Sequence, residues 1–504
     1  MTVEHFDVLI VGAGISGIGA GYHLQARSPQ RTYAILEGRD DLGGTWDLFR
    51  YPGVRSDSDM HTLGYNFKPW LEAKSIADGP SILNYVNETA REHGVDKHVR
   101  FNHRVIAAAW SSEAARWTIE ADVEGRAVSL TCDFLFMCAG YYSYRGGFKP
   151  DFPGLADYQG KVVYPQEWPE DLDYAGKRVV VIGSGATAVT IVPAMAKTAA
   201  HVTMLQRSPT YMVSRPDHDA VANTLRKFLP EDLAYGVTRW KNTAFQGLVY
   251  KQTRTQPEKV KKALLDGVRK ELGRDYDVAT HFTPTYNPWD QRLCLVPNAD
   301  IFQAIREGKA SVVTDHIETF TPTGIRLQSG EELEADIVVS ATGLNLVVMG
   351  EVAFSKDGAP IDFAKTWSYK AMMYSGVPNL VSTFGYINAS WTLRADLTSE
   401  FVCRVLNHMD KAGAATATPT LRPGEESMPA RDWIEDFSAG YMRREMHRMP
   451  KQGDREPWLN TQDYARDKKM IRKGVIDDGV LIFAKAPATS ARVAVAHPML
   501  QAAE

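Results

Sequence analysis

Two glycine-rich turns of the same design occur in this chain, and each dictates what surrounds it. The first, Gly12-Ala13-Gly14-Ile15-Ser16-Gly17, follows the apolar run Val8-Leu9-Ile10-Val11. The second, Gly183-Ser184-Gly185-Ala186-Thr187-Ala188, follows Val179-Val180-Val181-Ile182. A strand-like run before and a helix-like run after is the setting in which such a turn holds a dinucleotide. The glycines permit a tight turn and let backbone amides approach a pyrophosphate, which the helix N-terminus stabilises. Two such turns imply two dinucleotides, and so electrons passed between them. The expected fold is α/β, with two Rossmann-like dinucleotide-binding domains.

A chain of 504 residues exceeds one ordinary core, so two or three domains are expected. Its 44% hydrophobic and 23% charged residues are those of a soluble globular protein. A net charge of −4 gives no electrostatic reason to expect nucleic acid. Four cysteines cannot build a disulfide framework, which suits a reducing cytoplasm. The N-terminus runs straight into the first strand, so no signal peptide is expected. The longest charge-free stretch, Val179 to Ala196, is broken by Gly183, Gly185 and Pro193 and reads as strand, loop and helix, not as a membrane span. Peripheral contact with a membrane stays open, as does the oligomeric state.

The first unit reads as a strand over 7–11, the glycine turn, a helix to about Ala26 and a strand Thr32 to Leu36 ending at Glu37. Glu37 lies where a carboxylate accepts hydrogen bonds from a ribose diol. Gly43-Gly44-Thr45-Trp46 offers a second close backbone approach to phosphate or flavin. In the second unit, the strand His201 to Gln206 ends at Arg207-Ser208, not at an acid. A cation there favours a ribose 2′-phosphate, hence NADP over NAD, although a surface arginine reads the same way. Apolar Val260, Leu264, Val268 and Leu272 at four-residue steps predict a helix, with Glu258 and Lys262 as a supporting pair. The expected segmentation is the first domain over 1–143, a connection over 144–176, the second domain over 177–214 and 286–370 with a helical insertion at 215–285, a return to the first domain over 371–487, and a loosely held tail at 488–504.

Cysteine placement excludes a disulfide reductase. Residues 1–131 contain none, and Cys132 and Cys138 sit roughly 20 Å apart on an extended strand, too far to bridge. Cys294 and Cys403 have no visible catalytic partner. No His and Cys cluster has metal spacing, so no metal is expected.

The two fingerprints, Gly43-Gly44-Thr45-Trp46, Arg50-Tyr51-Pro52-Gly53-Val54-Arg55-Ser56-Asp57 and Ala341-Thr342-Gly343 together resemble type I Baeyer–Villiger monooxygenases. Tyr286-Asn287-Pro288-Trp289-Asp290-Gln291-Arg292-Leu293 and Asn388-Ala389-Ser390-Trp391-Thr392-Leu393 resemble the ethionamide-activating group of that family. The resemblance runs from residue 5 to about 487 and implies FAD at the first turn and NADP at the second. It places Gly12, Gly14, Ser16, Gly17, Glu37, Gly44, Thr45, Trp46, Asp57 and Val105 at FAD. Gly183, Gly185, Ala186, Thr187, Arg207, Ser208, Thr342 and Gly343 fall at NADP. One departure stands out: in Tyr158-Gln159-Gly160-Lys161-Val162-Val163-Tyr164-Pro165-Gln166-Glu167-Trp168-Pro169, Tyr158 replaces the usual phenylalanine and Tyr164 the usual histidine. Gln291 falls where some relatives carry a lysine near the 2′-phosphate.

The resemblance implies an NADPH- and O2-dependent reaction through a flavin C4a-peroxide, turning ketones into esters or lactones and oxidising sulfides or thioamides. Arg292 matches the family's active-site arginine, a permanent cation suited to holding negative oxygen, and Asp57 the carboxylate that orients it. The expected partners are O2 and a small apolar ketone or sulfur compound. Asp59 and Arg55 read as solvated turn residues, while Trp289, Tyr286 and Trp391 either line a pocket or pack. Two alternatives stay open: a nitrogen- or sulfur-oxygenating flavin enzyme, and a flavin-binding redox sensor without turnover.

Overall fold

A computed structural model describes residues 3–487. The run that announced the first fingerprint becomes the strand Glu4–Val11, with Val8 to Val11 buried on both faces, as a strand flanked by layers requires. Tyr33–Leu36 lies parallel on one side of it and Arg126–Met137 on the other. The latter turns back antiparallel through Arg116–Val123 to Arg104–Ser111. The result is one nine-stranded sheet. The second unit is a five-stranded parallel sheet in the order Ala310–Thr314, His201–Gln206, Arg178–Ile182, Ile337–Ser340 and Lys161–Val163.

Met212–Arg215 and Cys294–Pro297 pair in parallel, and everything between them is helical apart from loops. That pairing closes the base of the insertion, whose long members are Glu231–Thr255 and Pro257–Leu272. On the second helix, Leu265 and Val268 are the buried residues, while Val260, Leu264 and Leu272 are half-buried. Four-residue steps advance 400° for every 360° turn, so the apolar stripe drifts round the helix. The expected Glu258–Lys262 pair is not among the ion pairs of the described residues; Lys262 faces Asp266 at 3.6 Å instead.

Two expected boundaries are corrected by strand pairing. The chain rejoins the first sheet at Ala353–Lys356, which lies parallel to Arg104–Ser111, well before residue 371. Within the connection over 144–176, Lys161–Val163 hydrogen-bonds to Ile337–Ser340 and is the edge strand of the second sheet. The expected tail at 488–504 lies outside the described residues.

The first domain is completed by Leu380–Ser382, which docks beside Arg126–Met137, and by the helix Trp391–Ala412, buried along most of its length. Two almost fully buried charges pin this helix. Arg394 Nη1 donates to Asp467 Oδ2 at 2.5 Å, and Asp467 also accepts from Tyr386 at 2.8 Å and Thr461 at 2.6 Å. Removing one partner strands a charge in the interior. Asp467→Ala is therefore expected to cost about 3–5 kcal/mol in denaturant unfolding; a loss below about 1 kcal/mol would show that water reaches Arg394.

Candidate active site

Gly12 has φ +102°, and a Cβ there would stand 2.6 Å from the Cys138 carbonyl oxygen. Gly17 is tighter still: its Cβ would meet the Gly12 carbonyl oxygen at 1.8 Å. Gly14 caps the helix Ile15–Arg27 without a side chain, so no side-chain acceptor occupies its first amides. Gly44, at φ +55°, lies over Gly14, where a Cβ would come within 3.0 Å of the Gly14 Cα. The fingerprint turn and the Gly43-Gly44 turn thus meet backbone to backbone, with Gly43 N donating to Ala13 O at 3.1 Å. This cradle of glycines beside uncapped amides fits a pyrophosphate.

Glu37 is buried, and its carboxylate accepts from Ala13 N at 2.7 Å and Arg39 N at 3.0 Å. Burial raises its pKa despite those donors. His103 N donates to the Glu37 carbonyl at 2.8 Å, and so the strand carrying buried Val105 begins beside the acid. Thr45 hydrogen-bonds Tyr142, and half-buried Trp46 packs on the first core. Ser16 Oγ accepts from Trp391 Nε1 at 2.7 Å, and the Trp391 ring stacks on Tyr141 with centroids 5.3 Å apart. Of the two readings left open for Trp391, the structure gives a positioning contact to the first fingerprint helix.

The second turn repeats the design. Gly183 has φ +130°, and a Cβ would stand 2.5 Å from the Ala341 carbonyl oxygen, so Ala341-Thr342-Gly343 crosses directly over it. Gly185 caps the helix Ala186–Met195, again without a side chain. Thr342 Oγ1 donates to Phe148 O at 3.1 Å, and Gly343 O accepts from Phe148 N at 3.0 Å. Ser184 Oγ donates to Ser208 O at 3.0 Å, tying the turn to the end of the next strand. Arg207 and Ser208 are exposed there, and among the described residues Arg207 has no ionic partner.

Between the two units, the Tyr51-Pro52-Gly53 loop presses on the second fingerprint helix. A Cβ on Gly53 would lie 2.8 Å from Ala194 Cβ and 3.0 Å from Thr190 O. Tyr51 meets Thr187, and burial pushes its phenol up to about 12. Just beyond this contact, Arg292 Nη1 lies 3.7 Å from Asp57 Oδ2 and donates to the Ile387 carbonyl at 3.0 Å. The two side chains remain 30% and 40% exposed, so the pair lines a surface open to a ligand. Burial works against the Arg292 charge, but the Asp57 carboxylate beside it outweighs burial and raises its pKa. Arg292 is held as a cation.

The turn that delivers Arg292 is strained and braced. Trp289 has φ +71°, which costs a non-glycine residue on the order of 1–3 kcal/mol. Asp290 holds the turn through Asn287 N at 3.0 Å and Arg254 Nη1 at 2.8 Å. Tyr286 packs against Tyr211 and hydrogen-bonds Thr210 at 3.1 Å. Arg55 and Asp59 are not the solvated turn residues expected. Arg55 pairs with Asp300 of the second unit, and Asp59 caps the helix Met60–Leu63 while accepting from Asn242 at 2.9 Å and Gln246 at 3.1 Å. Tyr141 and Tyr441, which face Arg292, escaped sequence reasoning. Tyr441 belongs to the short helix Gly440–Glu445 and carries no motif.

The sequence profile of flavin-binding monooxygenase-like proteins matches residues 75–349, and that of NAD(P)-binding Rossmann-like domains matches residues 10–73. The chain belongs to the flavin-binding monooxygenase-like family. The FAD-containing monooxygenase EthA of Mycobacterium tuberculosis (strain ATCC 25618 / H37Rv) is 56% identical over 486 residues, covering 96% of this chain and 99% of its own length. EthA of Mycolicibacterium smegmatis is 54% identical over 485 residues, covering 96% and 98%. Among solved structures, an oxidized steroid monooxygenase bound to NADP aligns with TM-score 0.78 at 23% identity, over 95% of this chain and 100% of that one. Cyclohexanone monooxygenase in an open form aligns with TM-score 0.70 at 20% identity, over 83% and 90%. The described residues contain no group of three or more His, Cys, Asp or Glu placed to hold a metal, and all four cysteines are free and buried.

For this flavin-binding monooxygenase-like chain, Gly17 gives the sharpest test of the first turn. Gly17→Ala must force the turn open by more than an ångström to relieve its contact with Gly12. The expected result is a lowered thermal midpoint and loss of visible flavin absorbance from the purified protein; retained flavin at wild-type stoichiometry would mean the turn relaxes freely.

Proposed function

We propose that the chain is an FAD-containing monooxygenase that uses NADPH and O2 to convert ketones into esters or lactones. The observation that carries this reading is the Arg292–Asp57 pair, one residue from each nucleotide unit, 3.7 Å apart and partly open to solvent. The overall balance is ketone, O2, NADPH and a proton giving ester, water and NADP⁺. FAD held at the first turn supplies the hydride-accepting and oxygen-activating chemistry. Arg292 supplies what the flavin cannot: a permanent positive charge for negatively charged oxygen in a site of reduced dielectric. Asp57 is the counter-ion of that charge, and the Ile387 carbonyl occupies one N–H on Nη1, leaving other donors for the reacting oxygens.

The second turn supports the choice of nicotinamide cofactor. Exposed, unpaired Arg207 stands at the strand end where a ribose 2′-phosphate sits in this fold. In the connection, Lys149 Nζ lies 4.6 Å from the centre of the Tyr164 ring. A cation held against an aromatic ring stands where the family's usual histidine would be.

A second reading, oxygenation of a soft sulfur or nitrogen, is favoured by the two phenols at Arg292. Burial lifts Tyr141 and Tyr441 above their ordinary range, so both keep their O–H and can donate a hydrogen bond to a neutral, protonated oxygen species. Sulfoxidation needs that protonated form, whereas attack on a carbonyl needs the anionic one. A panel of ketones and thioethers incubated aerobically with NADPH, scored for esters, sulfoxides and hydrogen peroxide, separates the two.

Arg292→Ala is expected to retain flavin and to lose roughly 10²–10³-fold or more in ester formation; wild-type ketone oxidation by this variant would remove the basis of the proposal. Arg207→Ala is expected to raise the KM for NADPH far more than that for NADH. Equal shifts for both would show that Arg207 does not read the 2′-phosphate.

A further inference from the structure

The helix Glu231–Thr255 has two functional faces, and only the inner one is accounted for by the site. Its inner face holds the candidate site, where Asn242 and Gln246 bind Asp59, two residues past Asp57; at its C-terminal end, Arg254 binds Asp290, two residues before Arg292. The outer face carries Leu233, Gly236, Val237, Trp240, Ala244, Gly247 and Leu248, all exposed. At 100° per residue these seven fall within an arc of about 120°, and no charged residue interrupts them over about 22 Å. Trp240 at its middle is 71% exposed, and Phe228, just before the helix, is 80% exposed. Among the described residues nothing covers this stripe, which is too continuous to be scattered surface apolarity.

The charge around it is equally lopsided. Residues 220–272 contain eleven Lys and Arg against five Asp and Glu, whereas the rest of the chain has 46 against 56. Exposed Lys251 stands on the stripe's own axis one turn beyond Leu248, and exposed Lys227 precedes the helix. The helix's own acids, Glu231 and Asp232, lie in its first turn and point off the stripe's axis, and Asp219 beside it is paired with Lys241 at 2.7 Å. A second copy of the chain would bring two positively charged segments together. A negatively charged surface is what this one complements, and a central tryptophan between lysines is the pattern of a helix lying in a membrane interface.

We propose that the outer face of Glu231–Thr255 seats the protein on an anionic phospholipid surface. The same helix then holds the turn bearing Asp57 one helix diameter, about 10 Å, from the bilayer boundary, placing the site where apolar molecules dissolved in lipid concentrate. No helix among the described residues is long and apolar enough to cross a membrane, so attachment is to one face of the bilayer only.

The test is cosedimentation of the full chain with phosphatidylglycerol–phosphatidylcholine vesicles and with pure phosphatidylcholine vesicles. The wild type is expected to bind the anionic vesicles, to weaken as salt rises, and to bind the neutral ones less. The double variant Trp240→Gln with Leu248→Gln removes two side chains from the apolar contact and should bind about tenfold or more weakly. Its NADPH oxidation with a water-soluble ketone should stay at the wild-type rate, showing that the fold is intact. Binding is read without turnover, so failure of the proposed oxygenation leaves this inference standing. Absent wild-type binding to anionic vesicles, or equal binding by the variant, overturns it. So does a wild type that sediments as a dimer, ignores vesicles and becomes monomeric on substitution, which would make the stripe a self-contact.

Discussion

The contact between the Tyr51–Gly53 loop and the helix Ala186–Met195 is the constraint on which the site depends. Each nucleotide unit can form its glycine turn from local sequence, yet neither turn alone brings a cation to a carboxylate. Gly53 lets the first unit approach the Thr190 carbonyl to a distance any larger residue would forbid. Arg55 then reaches Asp300, and Asp57 is carried to Arg292. A cluster of van der Waals contacts therefore fixes an electrostatic one, and its cost in mobility is borne by a loop that has no regular secondary structure of its own.

The site is built from weak segments held by many partners. The Asn287–Arg292 turn contains a left-handed tryptophan and is secured from three sides, by Arg254 of the insertion, by Ser438 N donating to Asp290 O at 2.6 Å, and by the Ile387 carbonyl on Arg292 itself. Backbone strain persists where surrounding structure over-determines it, and here that surrounding comes from three distant parts of the chain. The insertion is thus part of the scaffold of the candidate site as well as a candidate contact surface.

Much of this was legible in the sequence because it obeys local rules. The two turns, the buried strands before them, the position of Glu37 and the cation at Arg207 each follow from spacing within one βαβ unit. The helical insertion was visible as a change of periodicity. What escaped depends on long-range pairing. The return to the first sheet at Ala353 has no signature, because a four-residue strand flanked by a two-residue one looks like any polar loop. Tyr141 and Tyr441 reach Arg292 only through tertiary packing, and Asp59 became a cap and bridge because Asn242 and Gln246 sit far along the chain. The outer stripe of Glu231–Thr255 is defined by which face the rest of the fold leaves uncovered, and spacing along the chain does not encode that.

The strand Leu380–Ser382 sets the order in which the protein can assemble. The second sheet draws all five strands from one unbroken stretch, residues 161–340, whereas in the first Leu135 to Met137 pair with Leu9 to Val11 on one flank and lack a partner on the other until Leu380 has been made. On a ribosome, the unit that begins later in the chain is therefore complete sooner, and the one that begins at the N-terminus must wait with an exposed strand flank. Chaperone dependence and aggregation during synthesis should concentrate in that interval, while the nascent chain already carries a finished nicotinamide unit beside an open flavin unit.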